Sequence, residues 1–417
     1  MTSRLSTLLA PLLALALACS PPDRHASGPA AAGRLSVSAS LGASDSSDLE
    51  GFATAIEPRT FIFPQDLGPH PAFKTEWWYW IGHLRAQDGR RFGYQLTFFR
   101  SALAPPPTPR PEDDASATGA RSQPDGPDGP GEPDEPEEPS SWRTRQLYMA
   151  HFALTDVDGA DFRSFERFGR GAAGLSGARS DPFRVWLDDW SVQATESGEQ
   201  WLLRAAEGSI QIELTLEPGK PRVLHGDRGL SRKGEASGAA SYYYSRTRMP
   251  TRGHLILGGE VLDVEGSSWF DHEWSTSLLA PDEVGWDWLG AQLDDGRELM
   301  FFRLRRRDGS SAWIDGTLIE ADGGSRALAT QGVEFTRRDS WTSPETGITY
   351  PAGFRLELPA EQLSLEVVPL VPDQELRLSF VYWEGVVAIS FSGSGSGSGS
   401  GRGFLEMTGY GERASLR

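Results

Sequence analysis

Apolar and polar residues alternate with a period of two along much of this chain. The cleanest case is Ile210-Gln-Ile212-Glu-Leu214-Thr-Leu216, where every second side chain is aliphatic, as a strand with one buried face requires. Phe92, Tyr94, Leu96 and Phe98 repeat the pattern after a turn at Asp88-Gly89-Arg90, and the aromatic run before that turn predicts the other arm of a β-hairpin. Further strands are expected at Tyr148–Asp156, Phe183–Trp190, Trp201–Arg204, Ser241–Met249, Leu255–Leu257, Glu260–Val264, Leu299–Leu304, Phe354–Leu358, Leu363–Val368, Leu376–Val381, Val386–Ser390 and Phe404–Thr408. Few short helices fit between them. The pattern predicts an all-β protein of antiparallel barrels or sandwiches.

Two stretches break the alternation. Ala104 to Ser141 is rich in Pro and Gly, with ten acidic residues between Glu112 and Glu138 against the single Arg121, and reads as a disordered acidic insertion. It carries about half of the formal net charge of -18, so the remaining body is only moderately acidic. Ser392 to Gly403 is a Gly-Ser alternation broken by Arg402 and reads as a flexible loop. An internal echo links the halves: Trp78-Tyr-Trp80-Ile-Gly82 followed by Asp88-Gly89-Arg90 recurs as Trp286-Asp-Trp288-Leu-Gly290 followed by Asp295-Gly296-Arg297, with one residue less between the parts. This suggests two copies of one unit.

At 417 residues the chain exceeds one typical domain. Its acidity argues against a nucleic-acid partner. Arg4, the apolar run Leu5–Leu17 and Ala16-Leu17-Ala18 ahead of Cys19, the only cysteine, resemble a bacterial lipoprotein signal. Residues 1–18 are therefore expected to be a signal peptide and 19–57 a flexible tether. The first barrel would occupy 58–245, with the insertion at 104–141, and the second 246–417. The expected location is extracytoplasmic, in the periplasm or at the outer membrane, with a lipidated Cys19 as membrane anchor.

The densest candidate chemistry lies between Gly266 and Arg305. Asp271, His272 and Glu273 stand side by side, with Asp287 further on, among Trp269, Trp274, Trp286 and Trp288. An apolar aromatic pocket raises the pKa of a carboxyl group towards that of a useful acid. The same residues could instead be turn and cap residues beside ordinary core tryptophans, or a hydrogen-bonded plug closing a barrel. His83 and His151 read as hydrogen-bonded core residues, and Glu384, beside Trp383, as a strand-end carboxylate with a local partner. No His-x-x-x-His or paired cysteines occur and the histidines are scattered, so neither metal nor cofactor is expected.

Four segments carry a family resemblance: Lys74-Thr-Glu-Trp-Trp-Tyr-Trp-Ile-Gly-His83; Ser268-Trp-Phe-Asp-His-Glu-Trp274 with Gly285-Trp-Asp-Trp288; Asp373-Gln-Glu375 with Tyr382-Trp-Glu-Gly385; and Gly403-Phe-Leu-Glu-Met-Thr-Gly-Tyr410. In that order they resemble the lipocalin-like proteins that include AttH and the carotenoid 1,2-hydratases of the hydroxyneurosporene synthase type. The resemblance implies two tandem lipocalin-like antiparallel β-barrels and an apolar ligand, isoprenoid or lipid. It makes Asp271 the candidate acid of a hydratase, with His272 orienting it or returning the proton, and Glu273 and Asp287 as further candidates. Glu76, Trp78, Tyr79, Trp269, Trp274, Trp286 and Trp288 are the candidate ligand-binding residues. It also suggests a partnership with an ABC-type exporter. A mature N-terminus at a lipidated Cys19 is the expected result of mass spectrometry on the exported protein, and an unmodified start beyond Cys19 would overturn the anchor.

Overall fold

The computed structural model describes residues 49–106, 145–276, 279–393 and 397–411. The expected signal segment, Cys19, most of the expected tether and most of the acidic insertion lie outside these residues. In chain order the first strands are β1 (Thr75–Ala86), β2 (Arg91–Ala102), β3 (Gln146–Asp156), β4 (Asp161–Gly169), β5 (Ser176–Ser180), β6 (Phe183–Leu187), β7 (Trp190–Ala194), β8 (Trp201–Glu207), β9 (Ile210–Leu216), β10 (Val223–Leu224), β11 (Leu230–Arg232), β12 (Ala240–Leu257) and β13 (Glu260–Ser275). Then follow β14 (Glu283–Leu293), β15 (Glu298–Arg306), β16 (Ser311–Ile319), β17 (Ser325–Ala327), β18 (Glu334–Thr342), β19 (Thr349–Leu358), β20 (Leu363–Pro369), β21 (Glu375–Arg377), β22 (Val381–Gly393) and β23 (Gly397–Met407). Helical structure among these residues is limited to short 3-10 turns such as Gln65–Leu67 and Pro359–Glu361.

The strands form two antiparallel sheets, and the two share one scheme. The first has thirteen strands ordered β4-β3-β2-β1-β13-β12-β9-β8-β7-β6-β5, with β10 and β11 against β12. The second has ten, ordered β17-β16-β15-β14-β23-β22-β20-β19-β18, with β21 against β22. In each, four consecutive strands lead in hairpin order to the sheet's first strand, which pairs with its last. These are the two lipocalin-like barrel units in tandem. The change of sheet falls between Ser275 and Glu283, later than the expected boundary at 245/246, because β12 runs unbroken through that point as one arm of the β12–β13 hairpin.

Each sheet curls around its own core. In the first, Trp80 stacks on Phe270 at 4.7 Å and meets Trp201 edge-on at 6.0 Å, with Phe98, Leu96 and Phe183 packed around them. In the second, Leu289, Phe301, Leu356, Leu365 and Trp383 fill the interior. The outward faces of the two sheets bury a further cluster that includes Ile81, Trp288, Met300, Phe302, Val386 and Phe404. Hydrogen bonds cross the same contact: His83 Nε2 to Gly403 O at 3.1 Å, His151 Nδ1 to Tyr382 Oη at 2.8 Å, and Gln292 Nε2 to Thr247 O at 2.8 Å.

Three sequence readings change here. The repeated turns coincide, each closed by a backbone bond, Ala86 N to Arg90 O and Leu293 N to Arg297 O. Counting back from them, the missing residue moves Trp288 onto the position of Ile81, so Trp78 and Trp80 face the first core while Trp288 faces the other sheet. The Gly-Ser segment is largely strand: Ser390 pairs with Ser400 and Ser392 with Ser398. A side chain at Gly399 would strike the Phe391 ring and one at Gly403 the Gly290 carbonyl, so glycine lets an aromatic ring and a neighbouring strand close over this ladder. Strands such as β18 escaped notice because nearly all their side chains are exposed, leaving no alternation to read.

Trp80 is fully buried at the centre of the first core. Trp80→Ala is expected to lower the unfolding free energy by about 3–5 kcal/mol, measured by urea denaturation; a loss below about 1 kcal/mol would show that the core closes without it.

Candidate functional site

Strand period decides where the Asp-His-Glu side chains go. Along β13, Phe270, His272 and Trp274 enter the first core, whereas Trp269, Asp271 and Glu273 face the second sheet. The trio is mid-strand, so the turn-and-cap reading does not hold, and His272 cannot orient Asp271 from the opposite face of the sheet.

Asp271 and Glu273 line a cavity of about 160 Å³ between the two sheets. That is the order of volume that accepts a benzene-sized group when the walls are apolar. Trp77, Tyr79 and Phe99 come from the first sheet and Trp286, Trp288 and Phe302 from the second. The barrel interiors, in contrast, are packed with their own aromatic and aliphatic side chains.

Asp271 is held by three donors. Trp269 Nε1 donates to Oδ1 at 2.6 Å, Ser245 Oγ donates to the same oxygen, and Tyr243 Oη donates to Oδ2 at 2.7 Å. Trp288 Nε1 in turn donates to Tyr243 Oη at 3.1 Å, which joins the second sheet to the network. Burial pushes the Asp271 carboxyl up to about 7, with the Glu273 charge adding to it and the three hydrogen bonds opposing it. Behind Ser245, His225 Nε2 lies 2.6 Å from its Oγ, and His225 Nδ1 lies 2.8 Å from Thr317 Oγ1 on β16. Burial, helped by the Lys233 charge, brings His225 down to about 3, so it is a neutral imidazole with one donor and one acceptor nitrogen. A chain of hydrogen bonds thus runs from Asp271 through Ser245 and His225 to the second sheet.

Glu273 accepts from Ser241 and forms an ion pair with Lys233 at 3.0 Å. Across the cavity, Glu384 on β22 and Glu406 on β23 are directly opposed cross-strand neighbours. Burial and then the Glu406 charge raise Glu384 well above the usual carboxylate range, and burial raises Glu406 to about 7 against the hydrogen bond it accepts from Trp286 Nε1 at 3.1 Å. Two carboxyls so placed hold one proton between them over a wide range of pH. Glu384 is a mid-strand cavity residue, not a strand-end carboxylate.

Other sequence candidates lie elsewhere. Asp287 points into the second barrel, where Arg303 at 2.7 Å, Arg305 at 3.2 Å and Tyr410 Oη at 2.9 Å surround it. Trp78 and Trp274 belong to the first core, and Trp269 backs Asp271. Glu76 faces the first core, its Oε1 2.7 Å from His70 Nδ1 and 2.8 Å from His272 Nε2, its Oε2 2.8 Å from Arg100 Nε. Asp66 holds the far nitrogen of His70 at 2.9 Å. Two histidines far apart in sequence therefore meet in space, and His70, Glu76 and His272 are a geometry that can face a cation. Glu76 is already compensated by Arg100 and bonded to both imidazoles, so the cluster stands as a closed network fastening the segment before β1 to the barrel. No local pattern in the sequence marks the cavity residues Tyr243 and Lys233, or Ser245 and His225 behind Asp271; Glu384 and Glu406 sit in segments that carry the family resemblance.

The model of the AttH-like family matches residues 54–123 and 128–410. A crystal structure of an AttH-type protein of Nitrosomonas europaea is 33% identical, covers 86% of this chain and 100% of its own, and superposes with a TM-score of 0.70. Kievitone hydratase from Nectria haematococca, 13% identical, covers 86% of this chain and 96% of its own with a TM-score of 0.61, a likeness of fold. No curated protein matches the chain.

The raised Asp271 carboxyl has a consequence for stability. Between its ordinary value of 3.8 and about 7, the folded chain keeps a proton that the unfolded chain has released. Its contribution to stability therefore falls as pH rises through that window. Asp271→Asn is expected to remove this component, so the stability difference moves in favour of the variant from about pH 4 to about pH 7 and is constant above that. Urea unfolding of both proteins across that range checks it; a pH-independent difference would place the Asp271 proton elsewhere.

Proposed function

The chain belongs to the AttH-like family, and from the geometry of its inter-sheet cavity we propose that it binds an apolar unsaturated molecule there and protonates it with Asp271, adding or removing water. One observation carries the reading: a buried carboxyl that keeps its proton close to neutral pH stands on the wall of an aromatic cavity. The cavity seats a ring or a branched isoprenoid end, with the remainder of a longer molecule reaching outside it.

In the hydration direction the Asp271 proton passes to one alkene carbon, the π pair forming the new C–H bond. The cation left on the neighbouring carbon faces the rings of Trp288 and Tyr243, whose π faces favour positive charge. Water supplies the new C–O bond, and its proton goes to the ionised member of the Glu384–Glu406 pair. The Asp271 carboxylate that remains is stabilised by Trp269, Ser245 and Tyr243 until it is reprotonated. The export and Cys19 anchor expected from the N-terminal sequence belong to the same proposal and would hold the cavity near membrane-derived ligands.

A fluorescent apolar probe is expected to bind the full chain, and in D2O the protein should incorporate deuterium into branched terminal alkenes. Asp271→Asn should keep the probe affinity and lower incorporation by about 100-fold or more. Incorporation unchanged in the variant would remove Asp271 from the chemistry, and absence of probe binding would remove the cavity from ligand binding.

A further inference from the structure

One corner of the cavity is left with unmet hydrogen-bonding capacity. Tyr79 Oη, Gln95 Oε1 and Glu384 Oε1 are buried and make no hydrogen bond of normal geometry to the described residues, although the Tyr79 and Tyr382 hydroxyls approach the Glu384 carboxyl closely enough to act on it. All three side chains line the cavity and are 7%, 2% and 2% exposed. Buried polar atoms are almost always paired, and an orphan costs about 1–3 kcal/mol. The gap is not a matter of rotating the amide, because Gln95 Nε2 is engaged by Thr97 Oγ1 at 3.2 Å and Tyr382 Oη at 3.1 Å. Tyr382 is itself fixed by His151 at 2.8 Å, and Glu166 holds the other nitrogen of that ring at 3.0 Å. Gln95 therefore offers an acceptor to the cavity.

We infer that this corner seats the hydroxyl group of a neutral, otherwise apolar ligand. The inference rests on the cavity being the ligand site and names the class of ligand. An alcohol donates its O–H to Gln95 Oε1 and accepts on its two lone pairs from the Tyr79 hydroxyl and the protonated Glu384, so one group answers all three orphans. A carboxylate has no proton to give Gln95 and faces Asp271, Glu273, Glu384 and Glu406, with Lys233, already paired to Glu273, the one cation among the described lining residues. An ammonium brings donors only, so it fits this corner only if Glu384 gives up its proton, which burial and the Glu406 charge oppose. Tyr79 lies directly opposite Asp271 on the neighbouring strand, so the seat adjoins the acid. In the water-adding reading, this hydroxyl is the one gained or lost.

The test is equilibrium binding to the full chain, by probe displacement and calorimetry, of a short prenyl alcohol and of the hydrocarbon, carboxylic acid and primary amine with the same carbon chain. The alcohol is expected to bind about tenfold more tightly than the hydrocarbon, the worth of one net hydrogen bond, and more tightly than the acid or amine. Tyr79→Phe and, independently, Gln95→Leu should erase most of that advantage while leaving hydrocarbon affinity within about twofold; Tyr79→Phe keeps the ring and so the packing. An alcohol no better than the hydrocarbon, a stronger acid or amine, or an advantage that survives both substitutions overturns the hydroxyl seat while leaving the cavity as an apolar site. Failure of all four to bind overturns the proposed function itself.

Discussion

The two faces of one strand govern this protein. β13 lies beside β1 and β12, and its side chains alternate between the aromatic core of the first barrel and the contact with the second. Phe270, His272 and Trp274 lock it inward, so Trp269, Asp271 and Glu273 must point out. A slip of one residue would exchange the two sets, placing Asp271 and Glu273 in the aromatic core and Phe270, His272 and Trp274 against the second sheet. The register is therefore enforced by the cost of burying unpaired charge, and the position of the candidate acid follows from it.

The cavity lies between two barrels whose interiors are packed with their own side chains. Tryptophan, phenylalanine and leucine fill both interiors to contact, whereas the outward faces that meet are only partly complementary. Trp288, Phe302 and Phe404 close much of that contact, and crossing hydrogen bonds from His83, His151 and Gln292 hold the sheets in register. An arrangement of this kind makes the site depend on both sheets: Asp271 is bonded to Tyr243, which Trp288 of the second sheet bonds in turn, and Glu384 and Glu406 arrive wholly from the second sheet.

Buried carboxyls recur throughout the molecule, but their partners divide them into two kinds. Glu76 meets Arg100 and two imidazoles, and Asp287 meets two arginines and a tyrosine. Those charges are compensated and fasten structure. Asp271, Glu384 and Glu406 have no cation against them in the hydrogen-bond and ion-pair network of the described residues, receive neutral donors at most, and respond to burial by holding protons at higher pH. A carboxyl that keeps its proton on the wall of an aromatic cavity suits the proposed chemistry, and keeping it there costs stability once the proton is lost.

The sequence by itself determined the class of fold, most of the strands with one buried face, the tandem repeat and the concentration of carboxyls and tryptophans in the Asp271 segment. Each rests on local alternation or on a run of adjacent residues, which the chain displays directly. Strands with both faces exposed, such as β18, and the glycine-serine ladder of β23 carry no such alternation and became legible only once their partners were in place. Which tryptophans share a face was decided by turn register, which is why the repeated Trp-x-Trp pairs point to different surroundings. The site was half legible: Asp271, Tyr79 and Trp288 were named, but His272, Glu76 and Asp287 went to other faces, and Ser245, His225, Gln95 and Glu406 came in from strands far away in sequence. Hydrogen bonds and carboxyl pairs form across strands, and only the tertiary fold sets which strands are neighbours.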